Sequence, residues 1–151
     1  MQGRQSYYTP RPRPRRPPSA PPTLGQMVWV PPCHLKFGEG SGHQDRPAYS
    51  VTPGGRGMLF IVLPCTSRDP GPTDRFYELW SIHYRTRVDR QGNDVPDGDR
   101  PWSVYSRTWI FECAEKLDFN VTGPLATYVR LTKGAMNKPC EWWRERVTRQ
   151  C

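Results

Sequence analysis

Residues 59–67 have the sequence LFIVLPCTS, and this stretch decides which fold the rest of the chain can adopt. Its five consecutive apolar residues, two β-branched and one aromatic, are typical of a strand buried on both faces. A buried helix needs a longer run, and Pro64 would interrupt it. Because proline has no N–H to donate, we expect strand pairing to stop at Pro64. Thr66 and Ser67 follow at the strand end, where a rigid element can hold functional hydroxyls; an ordinary polar turn is the alternative.

The composition of the whole chain favours β structure. Its 151 residues have the length of one domain, and 18 prolines with 13 glycines disfavour a helical bundle. We therefore predict a mainly β fold with short helices: a small barrel of about six or seven strands followed by a C-terminal helix. No apolar run approaches the roughly 18 residues of a membrane span, so we expect a soluble protein with no membrane partner.

Turn signals and apolar patterns divide residues 24–151 into the elements of this predicted barrel domain. Helices are predicted to begin at Pro124 and at Pro139, because proline is favoured in the first helical turn. Strands are predicted at residues 26–30, 47–52 and 59–63, at 75–88 as one long strand or two short ones, and at 102–113 as a pair.

Residues 1–23 differ from the rest in composition. They contain five arginines, seven prolines and no acidic residue. Such a segment cannot bury apolar surface, so we predict a disordered or polyproline arm. The segment also lacks the apolar stretch that a secretory signal peptide contains, so we do not expect it to be one. One interpretation is a basic arm that contacts nucleic-acid phosphates; the alternative is a solubilising tail, or upstream sequence with no role of its own.

The cysteine and histidine spacing predicts neither a disulfide framework nor a metal site. The five cysteines are an odd number, are scattered and form no C-x-x-C pair. Scattered, reduced cysteines suit a cytoplasmic protein. The three histidines are not spaced with cysteines or carboxylates like metal ligands. We therefore predict no metal and no cofactor.

Two segments could together bind an anion. Arg46 precedes Pro47, which biases the arginine backbone to an extended conformation at the start of a predicted strand. If this strand neighbours the strand of residues 59–63, Arg46 and Thr66 face one ligand. An arginine fork suits bidentate phosphate contact, and a threonine hydroxyl adds a hydrogen bond. A surface ion pair, for instance with Asp45, is the alternative for Arg46.

In chain order, these segments resemble the MazF/PemK/Kid toxins of type II toxin–antitoxin modules. The resemblance rests on residues 25–30, a glycine-rich loop, Arg46-Pro47-Ala48, and the hydrophobic strand that ends in Pro64-Cys65-Thr66-Ser67. It implies an SH3-like barrel, a homodimer, and an endoribonuclease that cuts single-stranded RNA without a metal. The implied reaction is attack of a 2′-hydroxyl on the adjacent phosphate, which leaves a cyclic phosphate and a 5′-hydroxyl.

The resemblance also implies roles for particular residues and a protein partner. Arg46 takes the place of the catalytic arginine, and Thr66 that of the strand-end hydroxyl, with Ser67 beside it. The implied partner is a cognate antitoxin. We expect its covering segment to be acidic, because a groove that attracts phosphate also attracts carboxylates.

Further candidate residues follow from their chemistry. His43 is a candidate proton acceptor, since the histidine pKa suits that task, although a solvated loop histidine is the alternative. The predicted RNA-binding residues are Lys36, Arg68, Arg75 and Trp29. Aromatic residues such as Trp29, Trp80 and Tyr84 can stack on bases, but core packing is the more common use for at least two of them. A non-catalytic SH3-like module that binds nucleic acid or protein is the alternative function.

Overall fold

The computed structural model describes residues 20–37, 44–53, 57–99 and 107–147. Within these ranges the chain is mainly β with two short helices, which confirms the predicted fold class. The strands are β1 Met27–Val30, β2 Arg46–Ser50, β3 Leu59–Thr66, β4 Phe76–Leu79, β5 Thr86–Val88, β6 Asp94–Pro96, β7 Thr108–Phe111 and β8 Glu115–Asp118. The helices are α1 Phe119–Thr122 and α2 Lys138–Arg144, and short 3-10 turns lie at Pro32–His34 and Ser81–His83.

Some predictions fall partly or wholly outside the described residues. His43 lies outside them, as do residues 1–19 of the predicted arm and residues 102–106 of a predicted strand. The described end of the arm packs on the domain, because Pro22 is buried and its carbonyl accepts a hydrogen bond from Ser50 Oγ at 3.4 Å.

Strand β3 is the centre of a six-stranded sheet with the order β1-β2-β3-β7-β4, in which β8 also pairs with β3. One edge of β3 pairs with β2. The other edge pairs first with β8, at residues 59–62, and then with β7, at residues 65–66. All these pairs are antiparallel. On this second edge the beginning of β3 has β8 as its neighbour, and the end of β3 has β7.

The prediction that pairing stops at Pro64 is wrong, because Pro64 pairs with Ala48 in β2. The reason is the direction of its backbone groups. The N–H and C=O of Ile61 both point toward the β2 side, since they bond to Thr52 and Val51. By strand alternation the Pro64 nitrogen points to the opposite edge. The missing N–H therefore removes no bond from the β2 ladder, and on the other edge the β7 register, continued by one residue, puts Pro64 opposite Phe111, the last residue of β7.

Residues 125–131 do not form the helix predicted to begin at Pro124. They run extended beside β1, where the Trp29 N–H donates to the Ala126 carbonyl at 2.8 Å and the Tyr128 N–H donates to the Met27 carbonyl at 2.9 Å. On their other side, the Arg85 N–H donates to the Arg130 carbonyl at 2.7 Å. Backbone bonds therefore link β1 through residues 125–131 to residue 85.

Side chains pack on both faces of the sheet. One hydrophobic cluster includes Tyr49, Leu63, Cys65 and Ile110, and the other includes Val30, Ala48, Phe60 and Val62. Helix α2 begins as predicted, with Pro139 in its first turn and buried, and it packs against the first cluster through Cys140.

The cysteines differ from the prediction at one position. Cys33, Cys65 and Cys140 are free thiols, but Cys113 is disulfide-bonded, so the expectation of reduced cysteines is wrong there. Sequence spacing does not reveal which distant cysteines meet in a fold. The cytoplasmic location rested on reduced cysteines and stays a prediction. Among the described residues, no helix has the length and apolar character needed to cross a membrane.

Candidate functional site

Arg46 and Thr66 lie at the same end of neighbouring strands. The β2–β3 ladder pairs Ser50 with Val62 and Ala48 with Pro64, so each pair of numbers sums to 112. Continued by two residues, the same register places Arg46 opposite Thr66. Opposed residues of an antiparallel pair share a face, with Cβ atoms about 4.5–5.5 Å apart. The two strands are neighbours, which was the condition for Arg46 and Thr66 to face one ligand, and this register puts both side chains on one face.

The same row continues across the sheet to β7 and β4. Thr66 is paired with Trp109, and Trp109 is paired with Glu78. Since direct partners share a face, Arg46, Thr66, Trp109 and Glu78 form one line of side chains across four strands. We call these four residues the cross-sheet row. None of the four is fully buried, whereas Ala48 and Pro64 in the next row are buried.

Three phenylalanines lie beside this row and connect Arg46 with Arg75. The rings of Phe37, Phe76 and Phe111 are in mutual contact, with the Phe37 and Phe111 centroids 4.9 Å apart. The Arg46 guanidinium carbon lies 6.0 Å from the Phe37 centroid, and that of Arg75 lies 4.9 Å from the Phe111 centroid. These cation–π contacts hold two predicted site arginines over one aromatic platform.

Hydrogen bonds also hold the Arg75 side chain in position. Its Nε donates to Glu112 Oε2 at 2.8 Å, and its Nη2 donates to Cys113 Sγ at 3.3 Å. Glu112 is 6% exposed and also faces Arg146 at 3.6 Å. A carboxylate this deeply buried requires charge partners. Arg75 therefore has a defined position, while its side chain remains 47% exposed.

The hydroxyl of Thr66 shapes the turn that leaves β3. Thr66 Oγ1 accepts a hydrogen bond from the Arg68 N–H at 3.1 Å. A hydroxyl that accepts one bond still carries its own proton for donation to a ligand. Ser67 and Arg68 follow in the turn and are exposed. The turn thus brings three predicted site residues to the end of β3.

Lys36 reaches the same region through a different support. The N–H groups of Lys36 and Phe37 donate to the two carboxylate oxygens of Glu115, at 2.7 and 3.0 Å. Glu115 stands on β8 opposite Val62, so this carboxylate ties the loop to the sheet. The exposed side chain of Lys36 therefore lies next in sequence to Phe37, whose ring contacts the Arg46 guanidinium.

Trp29 is the predicted RNA-binding residue that the structure does not bring to this surface. It is paired with Pro47, whose side chain faces away from that of Arg46, its neighbour in β2. The Trp29 ring packs edge-on against Tyr128, with centroids 4.8 Å apart. Tyr84 is likewise buried in that cluster, so two of the three candidate stacking residues serve core packing.

Trp80 is exposed and belongs to a stack that sequence reasoning missed. The Arg107 guanidinium carbon lies 4.0 Å from the Trp80 centroid and 5.4 Å from the Trp109 centroid. The Arg107 Nη2 also forms an ion pair with Glu78 Oε2. The two tryptophans are far apart in sequence, and only the β4–β7 register brings them together. The one available signal was the alternation of Arg107 and Trp109 along a strand.

A cleft of about 430 Å³ opens beside the cross-sheet row. Its floor comes from β4 and β7, and its wall from the loop of residues 69–73. The lining residues are Asp69, Pro70, Gly71, Pro72, Thr73, Phe76, Glu78, Arg107 and Trp109.

Cys65 does not belong to the chemistry of this surface. It lies next to Thr66 but faces the opposite side of the sheet, where it is fully buried. Burial raises the pKa of the Cys65 thiol, which keeps it protonated and unreactive. Among the described residues, no group of three or more His, Cys, Asp or Glu side chains is placed to hold a metal ion.

No protein-family model and no curated protein matches this chain. Any assignment of function therefore rests on the geometry of this surface and on the sequence motifs.

Proposed function

We propose that the chain is a metal-independent endoribonuclease that cleaves single-stranded RNA, the toxin component of a type II toxin–antitoxin module. The observation that carries this proposal is the β2–β3 register, which, continued by two residues, sets Arg46 opposite Thr66. During the reaction, negative charge grows on the phosphate in the transition state. A guanidinium and a hydroxyl held in place on one face can stabilise that charge.

Each residue of the proposed site has one role in the reaction. The 2′-oxygen attacks the adjacent phosphorus and loses its proton, the bond from phosphorus to the 5′-oxygen breaks, and that oxygen takes up a proton. The products are a 2′,3′-cyclic phosphate and a 5′-hydroxyl. Arg46 stabilises the growing negative charge on the phosphate oxygens, and Thr66 donates a hydrogen bond that holds the phosphate in line. His43, three residues before Arg46 in the chain, is the proposed proton acceptor.

The surroundings of the cross-sheet row support binding of a single strand. Arg68, Arg75 and Lys36 add positive charge around Arg46, and the formal net charge of the whole chain is +8. Phe37, Phe76 and Phe111 add aromatic surface. Positive charge for the phosphates and aromatic faces for the bases are the two features that single-strand binding sites combine.

The proposal includes two protein partners. An acidic antitoxin segment would bind the same basic surface, since such a segment competes with phosphate for the arginines. The chain itself would form a homodimer. Sedimentation of the purified chain at rising concentration tests the dimer, and a constant monomer mass would remove it from the proposal.

The test is cleavage of a mixed single-stranded RNA by the purified full chain in EDTA, followed by analysis of the new ends. We expect fragments with a 2′,3′-cyclic phosphate and a 5′-hydroxyl. Fragments with a 5′-phosphate, or activity that EDTA abolishes and a divalent ion restores, would contradict internal attack. Tight RNA binding with no cleavage would favour the non-catalytic binding module instead.

A further inference from the structure

The cleft beside the cross-sheet row has a chemistry that phosphate binding does not explain. Two carboxylates line it, Asp69 and Glu78, against the single guanidinium of Arg107. Arg46 and Arg75 are not among its lining residues. Because carboxylates repel phosphate, this cleft suits a neutral ligand group that donates hydrogen bonds. The surface is therefore divided into a cationic part around Arg46 and an acceptor-rich part around Glu78.

The cleft is also built to hold a flat ring. Phe76 and Trp109 line it, and Arg107 lies over the rings of both Trp80 and Trp109. Flat bases displaced from a helix stack on aromatic rings and on arginine planes. A volume of about 430 Å³ is within the ordinary range for small-ligand sites. A nucleobase fits both the shape and the surface of this cleft.

The wall of the cleft is fixed before any ligand arrives. The Gly71 N–H donates to Asp69 Oδ1 at 2.8 Å, and Gly71 adopts a φ of 81°, which favours glycine. The Arg75 N–H donates to Thr73 Oγ1 at 3.2 Å. Pro70 and Pro72 restrict the backbone between these bonds. A preformed wall lowers the ordering cost of binding.

Glu78 decides which base fits best. Its Oε2 pairs with Arg107, and a carboxylate offers about four acceptor positions in all. Guanine presents two adjacent donors, N1–H and the N2 amino group, on its Watson–Crick edge. Adenine and cytosine place a ring acceptor beside their single amino group, and uracil places its one N–H between two carbonyls. Only guanine therefore meets a carboxylate with two donors and no opposing acceptor.

We propose that this cleft is a guanine-binding pocket, in which Glu78 accepts hydrogen bonds from the base and Trp109 with Phe76 stacks on it. As a selector of the cleavage site, the pocket rests on the function proposed above. Glu78 lies two strand spacings from Thr66, roughly 9–10 Å across the sheet. The pocket therefore reads a base close to the phosphate that Arg46 and Thr66 hold.

Binding can be measured apart from cleavage with 2′-O-methyl pentanucleotides, which lack the nucleophilic hydroxyl. Four labelled probes carry uridine at the outer positions and guanosine, adenosine, cytidine or uridine at the centre. Fluorescence anisotropy with the full chain should show the guanosine probe bound at least about tenfold more tightly than each other probe. Equal affinity for all four probes, within about twofold, would overturn the proposal.

Glu78→Gln keeps the size of the side chain. It removes the negative charge of the carboxylate and replaces one acceptor oxygen by an amide donor. We expect it to lower affinity for the guanosine probe by about tenfold to a hundredfold and to leave the adenosine probe within about threefold. The matched control is Glu141→Gln, which removes the same charge from an exposed position on α2. A guanosine preference that survives in Glu78→Gln, with an unchanged thermal midpoint, would overturn the assignment of Glu78.

Cleavage of unmodified RNA separates this inference from the proposed nuclease. Cleavage clustered next to guanosine, and dispersed by Glu78→Gln, supports both. Efficient cleavage without guanosine preference would overturn the pocket and leave the nuclease standing. Selective binding of the guanosine probe without any cleavage would support the pocket and overturn the nuclease.

Discussion

The two faces of the sheet treat polar side chains in opposite ways at the end of β3. Thr108 and Trp109 are neighbours in β7 but face opposite sides. On the Thr108 side, its Oγ1 lies 2.9 Å from the Tyr84 hydroxyl and 2.7 Å from the Tyr128 hydroxyl, and all three residues are buried. On the Trp109 side, the polar residues Arg46, Thr66 and Glu78 remain within reach of solvent.

The difference separates stability from function. The Tyr84–Thr108–Tyr128 network satisfies its hydroxyls internally, so it removes the penalty of buried polar groups and fixes the packing of the core. Burial raises the pKa of Tyr84, which keeps its hydroxyl neutral. The polar side chains of the cross-sheet row add little to stability, because they are only half-buried and can exchange a partner for water at small cost. Its side chains are instead available to a ligand.

The largest expected effect is on the Trp109 side of the sheet, at the cross-sheet row. Arg46→Ala should lower the cleavage rate about a hundred- to a thousandfold, the usual loss for one preorganised donor to transition-state charge. The free energy of unfolding should change by no more than about 1 kcal/mol, the size of an exposed cation–π contact. Initial rates on a mixed RNA and urea unfolding of the same preparation measure both quantities.

Arg46→Lys is the matched control for charge. It should also be impaired, since lysine keeps the positive charge but loses the bidentate fork. Full activity in a folded Arg46→Ala protein would remove this residue from the chemistry and favour the non-catalytic binding module.

The next largest effect is on the buried face. Thr108→Val keeps the shape of the side chain but takes away the hydroxyl that Tyr84 and Tyr128 share. We expect the free energy of unfolding to fall by about 1–3 kcal/mol, the cost of a buried polar group that loses a partner. Activity measured well below the thermal midpoint should stay near that of the parent. A strong loss of activity without destabilisation would show that the two faces are not separable in this way.

Thr66→Val sharpens the contrast because it makes the same chemical change on the other face. The lost hydrogen bond runs to a charged phosphate, so we expect a fall in rate of about ten- to a hundredfold. The loss of the Arg68 N–H acceptor should alter the free energy of unfolding only slightly, since that turn is exposed. A Thr66→Val variant destabilised as much as Thr108→Val would contradict the division between the faces.

The smallest effect concerns pH. Burial raises the pKa of Cys65 above its ordinary value of 9.0. Above that ordinary value the unfolded chain loses the thiol proton while the folded chain keeps it, so unfolding releases a proton. The stabilisation is complete below pH 9 and is lost as the pH rises toward the folded pKa.

We therefore expect the free energy of unfolding to fall between pH 8 and pH 10. Cys65→Ala should make that fall shallower, whatever its effect on absolute stability. Cys33→Ala is the control, because it removes a thiol from an exposed position. Urea unfolding at several pH values gives the slopes, and equal slopes for the parent and Cys65→Ala would refute the assignment.

Local sequence signals predicted part of the fold. The apolar runs gave β1 and β3 closely, and Pro139 marked the start of α2. The signals were misleading where tertiary pairing overrode them. Pro64 stays within β3 because its nitrogen points away from β2, so the ladder with β2 keeps its bonds. Residues 125–131 have helical apolar spacing but run extended, since β1 offers them backbone partners.

The candidate site was predictable to the same extent. Arg46 and Thr66 could be singled out from the sequence because each lies at the end of a predicted strand, and the β2–β3 register shows that these strands are neighbours. Phe37, Glu78 and Arg107 were missed, because a loop and the β4–β7 register bring them to the site. No local pattern in the sequence encodes that register.

The claim that the end of β2 and β3 cleaves RNA by internal attack has one most direct test. An RNA with a single mapped cleavage position is prepared again with a 2′-deoxy nucleotide on the 5′ side of that bond. The account predicts that the full chain no longer cuts there, because the attacking hydroxyl is gone, while cleavage at unmodified sites of the same RNA continues. Undiminished cleavage at the 2′-deoxy position would mean that water is the nucleophile and would contradict the account.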